Sequence, residues 1–145
     1  MLKGIDPRLN ADVLYALAAM GHGDTVVICD TNFPGDAVAR DTTLGQLLRM
    51  DNINSAAAIS AIASVFPVEA AARMEVIGAP TELPPAQTEV ATVLKTAEPD
   101  AGAMRGIERF AFYDEARDAY CVIQTGDRRF YGCFILTKGV IAPDA

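Results

Sequence analysis

Apolar positions along the first thirty residues follow two successive rhythms. Val13, Leu14, Leu17 and Met20 recur at helical spacing, and Asn10 stands where a helix cap belongs, so a helix is predicted from about Ala11 to Met20. Gly21 is placed to end it with a left-handed residue. The rhythm then collapses into Val26-Val27-Ile28-Cys29, a continuous apolar run. Such a run suits a strand covered on both faces. Residues 35–46 read as loop and Leu47 to Asp51 as a short strand.

Ser55 is positioned to cap a helix through about Phe66, stopped by Pro67. That helix carries no charged residue, so it is predicted to be buried on several sides, either inside the chain or at a subunit interface. Arg73 to Ile77 reads as a strand. Pro84-Pro85 opens a helix whose Val90, Val93, Leu94 and Ala97 share a face, and Pro99 and Gly102 close the region. Ala103 to Glu108 reads as a strand, Arg109 to Asp118 as a short helix and Tyr120 to Thr125 as a strand. After a turn at Gly126-Asp127, Phe134 to Thr137 forms the last strand. Alternating strands and helices predict an α/β fold. The strands at 120–137 look like an antiparallel addition, which makes the expected sheet mixed.

Composition narrows the function more than the fold. A length of 145 residues, half of them apolar, suits one domain with a real core and no covalent staples. The net charge is −7 and Lys and Arg are scattered, which disfavours nucleic acid and anionic membrane surfaces and favours an uncharged small molecule. No apolar run reaches membrane-spanning length, and the amino terminus lacks the apolar core of a signal peptide. Cys29, Cys121 and Cys133 form no C-x-x-C pair and sit in apolar runs, so they are expected to be buried free thiols in a reducing compartment, hence a cytoplasmic protein. A single histidine excludes a His-rich metal site.

That histidine, His22, lies between Gly21 and Gly23 in the bend from helix to strand. Imidazole titrates near neutral pH and suits proton transfer in both directions, but a glycine-flanked histidine is by itself an ordinary surface loop. Asp30, Asn32 and Phe33 follow the first strand at its carboxyl end, where open α/β sheets build ligand crevices. A carboxylate and an amide can hydrogen-bond a polyol, and an aromatic ring can cover a sugar's C–H face. An Asx-turn is the plain alternative for Asp30. Arg109-Phe110-Ala111-Phe112-Tyr113 concentrates a guanidinium and three rings, of which at least one should anchor the core. Arg128-Arg129-Phe130-Tyr131-Gly132-Cys133 holds a second arginine and tyrosine cluster beside a glycine.

Taken in order, Met20-Gly21-His22-Gly23-Asp24, Asp30-Thr31-Asn32-Phe33-Pro34, Glu108 to Tyr113, Thr125-Gly126-Asp127 and Tyr131-Gly132-Cys133 strongly resemble the fucose mutarotase and ribose pyranase family, RbsD/FucU-like. The likeness is tight over 1–34 and 104–140 and looser between. The Arg-Phe-Ala-Phe-Tyr segment resembles the fucose mutarotase branch, because the ribose pyranase branch typically has His where Arg109 stands.

The resemblance implies a single-domain, three-layer α/β/α fold with a mixed sheet, and a ring-shaped homo-oligomer, often a decamer, with pockets near subunit boundaries. It implies a cofactor-free isomerase that interconverts the anomers of a free monosaccharide such as L-fucose. His22 would match the catalytic histidine, with Tyr131 a second proton carrier. Asp30, Asn32, Arg109, Tyr113, Tyr131, Gly132 and Cys133 would contact the sugar. Asp30 would orient His22, hold a hydroxyl, or both. The family reads Tyr-Gly-Asn where this chain has Cys133, and a thiol bonds hydroxyls far less well than an amide. The residues also fit a sugar-binding module without turnover or a ribose pyranase. A phosphohistidine carrier at His22 fits less well, since no basic cluster accompanies it.

Overall fold

Successive residues of a strand point to opposite faces of its sheet, and the run 26–29 uses both. The computed structural model describes residues 1–145, with β1 at Thr25–Cys29. Val26 and Ile28 enter one apolar cluster, Val27 and Cys29 another, and all four are fully buried. The two clusters lie on opposite faces of a six-stranded mixed sheet. The remaining strands are β2 (Leu48–Met50), β3 (Val68–Met74), β4 (Arg105–Ile107), β5 (Cys121–Thr125) and β6 (Phe134–Lys138). Their order across the sheet is β2-β5-β1-β6-β3-β4.

Helices cover both faces, which makes the three-layer α/β/α arrangement. Helices α1 (Ala11–Ala19), α3 (Ser55–Ala63) and α4 (Pro85–Ala97) supply Val13, Leu17, Ile59, Ile62, Val90 and Leu94 to the larger cluster. Helices α2 (Gly35–Ala39) and α5 (Arg109–Arg117) supply Val38, Ala39, Phe112 and Ala116 to the smaller one. The free thiols Cys29, Cys121 and Cys133 are buried. No helix is long and apolar enough to cross a membrane.

Strand direction decides where a site can form. β5 and β2 run parallel to β1, β4 runs parallel to β3, and β6 runs antiparallel to both β1 and β3. Five strands therefore point the same way, and their carboxyl ends share one edge of the sheet. Only β6 starts at that edge.

Several local expectations change. Of the two strands at 120–137 only β6 is the antiparallel addition; β5 runs parallel to β1, which lies between them. Residues 35–46 contain α2, a five-residue helix too short for periodicity to register. The cap of α3 is Asn54, whose side chain accepts from the Ala57 N–H at 2.8 Å, and Ser55 is the first helical residue. That helix ends at Ala63, and its Ala58, Ile59, Ala61 and Ile62 are buried within the chain. β3 begins at Val68, earlier than Arg73, since pairing with β6 overrides the low strand propensity of Glu69-Ala70-Ala71-Ala72. Helix α1 ends as Met20 turns extended, and the left-handed glycine of the bend is Gly23, not Gly21.

Candidate active site

A cavity of about 400 Å³ opens at the shared carboxyl edge. Asp30, Asn32 and Phe33 come from the segment after β1, Met74 and Ile77 from the end of β3 and beyond, and Arg109 and Tyr113 from α5, which follows β4. Phe130, Tyr131 and Cys133 come from the turn leading into β6. The topology thus gathers four segments separated by up to a hundred residues.

Asp30 is buried and its carboxylate is fully engaged. Oδ1 accepts the N–H groups of Asn32 and Phe33, both at 3.0 Å, which closes the Asx-turn. Oδ2 accepts the Gly132 N–H at 3.1 Å and the Cys133 thiol at 3.5 Å. Four donors use the roughly four lone-pair sites of a carboxylate. The thiol is the weakest of them and lines the cavity. Burial, reinforced by the Asp30 charge, pushes the Cys133 thiol well above its ordinary pKa, so it stays a protonated donor. Gly132 is held from the other side by Ser55, whose hydroxyl donates to the Gly132 carbonyl at 3.2 Å. A Cβ on Gly132 would stand 3.1 Å from Ser55 Oγ and 3.3 Å from Asp30 Cβ, so the residue is glycine for close packing.

Arg109 and Tyr113 sit one helical turn apart on α5, and Arg109 Nε donates to Tyr113 Oη at 3.0 Å. The guanidinium lies 5.3 Å from the Phe110 ring centre and 5.4 Å from that of Tyr113. Its terminal nitrogens make no hydrogen bond within the chain and are available to ligand hydroxyls. The Tyr113 ring packs edge-on to Phe33 at 5.4 Å, and Phe112 is the ring of this cluster that enters the core. Glu108 caps α5 by accepting the N–H groups of Phe110 and Ala111, which hold its carboxyl below the usual range.

Tyr131 adopts φ +60°, a left-handed conformation unusual for a bulky residue. Its hydroxyl oxygen accepts the Ile77 N–H at 3.2 Å. The phenolic proton is therefore free to be donated into the cavity.

His22 is not among these residues. It precedes β1, whereas Asp30 follows it, so the two stand at opposite edges of the sheet within one chain. Asp30 does not touch His22. The imidazole Nε2 lies 3.1 Å from Oε1 of Glu69, near the start of β3, and both side chains are about half exposed. Nothing local in the sequence marks Glu69, Met74 or Ile77 as site residues, whereas Phe130 lies in the Arg128–Cys133 cluster. Ile77 contributes a backbone N–H, which no residue type announces, and Glu69 reaches His22 only because β3 and β1 flank β6.

Asp30 is the one carboxylate lining the cavity, and its acceptor sites are filled by the four donors of its own chain. The cavity is a small concave site with largely apolar walls, a free guanidinium and a phenol, groups that can hydrogen-bond a small polar ligand. These features define a small-molecule site on a three-layer α/β sheet.

Comparison places that class within one family. The profile of the RbsD / FucU transport protein family matches residues 3–141. The fucose mutarotase of Danio rerio is 38% identical, over 99% of this chain and 97% of that protein. The crystal structure of protein Atu2016 is 60% identical with a TM-score of 0.95, over 98% of this chain and 97% of that one. A fucose mutarotase from Streptococcus pneumoniae, solved in complex with L-fucose, is 27% identical with a TM-score of 0.87, over 97% of this chain and 100% of that one. The chain belongs to the RbsD/FucU family.

Proposed function

We propose that this chain is a cytoplasmic sugar mutarotase that interconverts the α and β anomers of a free monosaccharide, with L-fucose the substrate of choice. The observation that carries this reading is the pairing of an unengaged Arg109 guanidinium with a Tyr131 phenol whose oxygen is already occupied by Ile77 N–H, in a cavity of monosaccharide size. The relatives named fucose mutarotase, and the relative bound to L-fucose, supply the choice of reaction and sugar.

In the proposed reaction a base takes the proton of the anomeric hydroxyl while an acid protonates the ring oxygen. The bond between C1 and the ring oxygen breaks, C1 becomes an aldehyde, and the C1–C2 bond rotates. Reclosure on the other face returns both protons, so nothing is oxidised and no cofactor enters. Tyr131 has a proton to give. His22 is the main acid/base group and Tyr131 the second proton carrier, with Glu69 holding the Nε2 side of His22 and leaving Nδ1 toward substrate. Arg109, Asn32 and the Tyr131-Gly132-Cys133 turn hold the sugar, while Asp30 fixes that turn.

His22 stands at the opposite edge of its own sheet, so this mechanism requires a second copy of the chain to bring its His22 to the cavity. Exposed Ile77 and Phe130 at the cavity, with exposed Phe110 packed on Tyr113, give such a neighbour an apolar surface to cover. A closed ring, a decamer as the resemblance implies, presents the same contact at every boundary.

Saturation-transfer NMR on L-fucose tests the reading. Wild-type protein should accelerate anomer exchange, and His22→Ala and Tyr131→Phe should each reduce it by roughly a hundredfold or more. Sugar binding without accelerated exchange would make the chain a binding module instead. Wild-type exchange by His22→Ala would remove His22 from the mechanism.

A further inference from the structure

Gln87 is fully buried in the first turn of α4, outside the cavity, yet its amide joins two of the cavity's walls. Nε2 donates to the carbonyl of Met74 at 2.6 Å and to the carbonyl of Tyr131 at 3.1 Å. One residue thus ties the end of β3 to the turn before β6. Both hydrogens of the amide are used, and Oε1 accepts from Arg73 Nη1 at 3.2 Å.

Arg73 fixes which way the amide points. It is a buried guanidinium with no carboxylate within salt-bridge distance, and its acceptors are Gln87 Oε1 and the carbonyls of Pro80 and Glu82. A buried cation without a counter-ion demands oxygen acceptors. Gln87 therefore presents its oxygen to Arg73 and its nitrogen to the two carbonyls. A flipped amide would set Nε2 against the guanidinium and Oε1 against two oxygens.

The tether falls on the residue that needs it. Tyr131 holds φ +60°, a conformation that persists only where surrounding contacts over-determine it. Its carbonyl is held by Gln87, and its hydroxyl by the N–H of Ile77, three residues beyond the Met74 that Gln87 also holds. We infer that Gln87, oriented by Arg73, is a positioning residue that locks Tyr131 in its left-handed conformation and aims the phenol into the cavity. Its effect on catalysis rests on the mutarotase reading; its effect on Tyr131 geometry does not.

The test pairs crystal structures with anomer exchange. Gln87→Met keeps the length and removes the tether. Gln87→Glu keeps the volume and the Arg73 contact, and guards against loss of folding in the first variant. In both, Tyr131 should leave φ +60° or its hydroxyl should part from Ile77 N–H. Exchange at saturating L-fucose should fall roughly ten- to a hundredfold, the scale of a misplaced catalytic group, with the half-saturating concentration changed less. In a Tyr131→Phe background, Gln87→Met should add no further loss of rate, because it acts through the missing hydroxyl. Unchanged Tyr131 geometry in both variants, or losses that multiply in the Phe background, would overturn the inference. If wild-type protein shows no exchange, the mutarotase reading fails and the Tyr131 geometry in the two variants alone decides.

Discussion

His22 Nε2 lies 3.1 Å from Glu69 Oε1, across 47 residues of sequence. An ionised carboxylate can only accept, so the shared proton belongs to Nε2, and Nδ1 is the nitrogen left for a substrate. The contact also fixes the ring, and a carboxylate holds an N–H more firmly than a neutral amide oxygen does. Glu69→Gln keeps one acceptor oxygen of the same reach, removes the charge and turns the other oxygen into a donor. We expect exchange of L-fucose anomers to slow about tenfold, with the half-saturating sugar concentration little altered. An unchanged rate, measured by saturation transfer, would exclude Glu69 from the proton-transfer machinery.

Asp30 presents a different kind of carboxylate. Its four donors include three backbone N–H groups from two segments, so it acts as the knot between the turn after β1 and the turn before β6. Asp30→Asn replaces one accepting oxygen with a donor that must face N–H or S–H groups. Leaving such buried donors unmatched costs about 2–3 kcal/mol. For a chain of this size that corresponds to a fall in melting temperature of roughly 5–10 °C. Calorimetry showing an unchanged melting temperature would contradict the knot.

Asp127 ties the site to solvent pH. Its buried carboxylate accepts the Ser55 N–H at the start of α3 and three hydrogen bonds from Arg129, which also pairs with Glu89. Burial pulls its pKa upward, but the Arg129 side chain and the two backbone N–H groups outweigh this and leave it lowered. A depressed native pKa means that the unfolded chain binds the proton more tightly. The stabilisation is complete above the unfolded value of about 3.9 and disappears as pH falls through the lower native one. Urea midpoints should therefore drop from about pH 5 downward, and Asp127→Asn should flatten that limb. At neutral pH the same substitution should cost about 1–3 kcal/mol. An acid limb as steep in the variant as in wild type would assign the effect to other carboxylates.

The sequence made the α/β alternation legible because long periodic segments, the apolar run of β1 and the Pro-led start of α4 are local signals. Asp30, Arg109 and Tyr131 stand out in the sequence chiefly through the family resemblance of their segments, since locally each reads as an ordinary turn, helix start or strand flank. What it hid is non-local. Nothing in the order β5, then β6, announces that β1 inserts between them, so both strands of 120–137 read as one antiparallel addition. Pairing with β6 turns Glu69-Ala70-Ala71-Ala72 into strand, and that pairing brings Glu69 to His22. Gln87 reads as one more polar residue of a helix, because its importance lies in which carbonyls it meets. The segment motifs suggest one cluster containing His22, whereas strand direction separates His22 from the rest within a single chain.

That separation yields a prediction about pairs of chains. If the site is composite, a His22→Ala subunit keeps a sound Tyr131 cavity, and a Tyr131→Phe subunit keeps a sound His22. Each homogeneous variant should be inactive, yet a co-expressed mixture should not be. In a ring with random placement, the two sound halves meet at about one boundary in four, so exchange should recover to about a quarter of wild type. A site built within one chain could not recover, because every cavity would lack one of the two groups. Recovery should also depend on true mixing: combining preformed rings of the two variants should give nothing until subunits exchange. Saturation-transfer NMR on L-fucose reads both conditions, and absence of recovery in verified mixed rings would place His22 outside the neighbouring cavity.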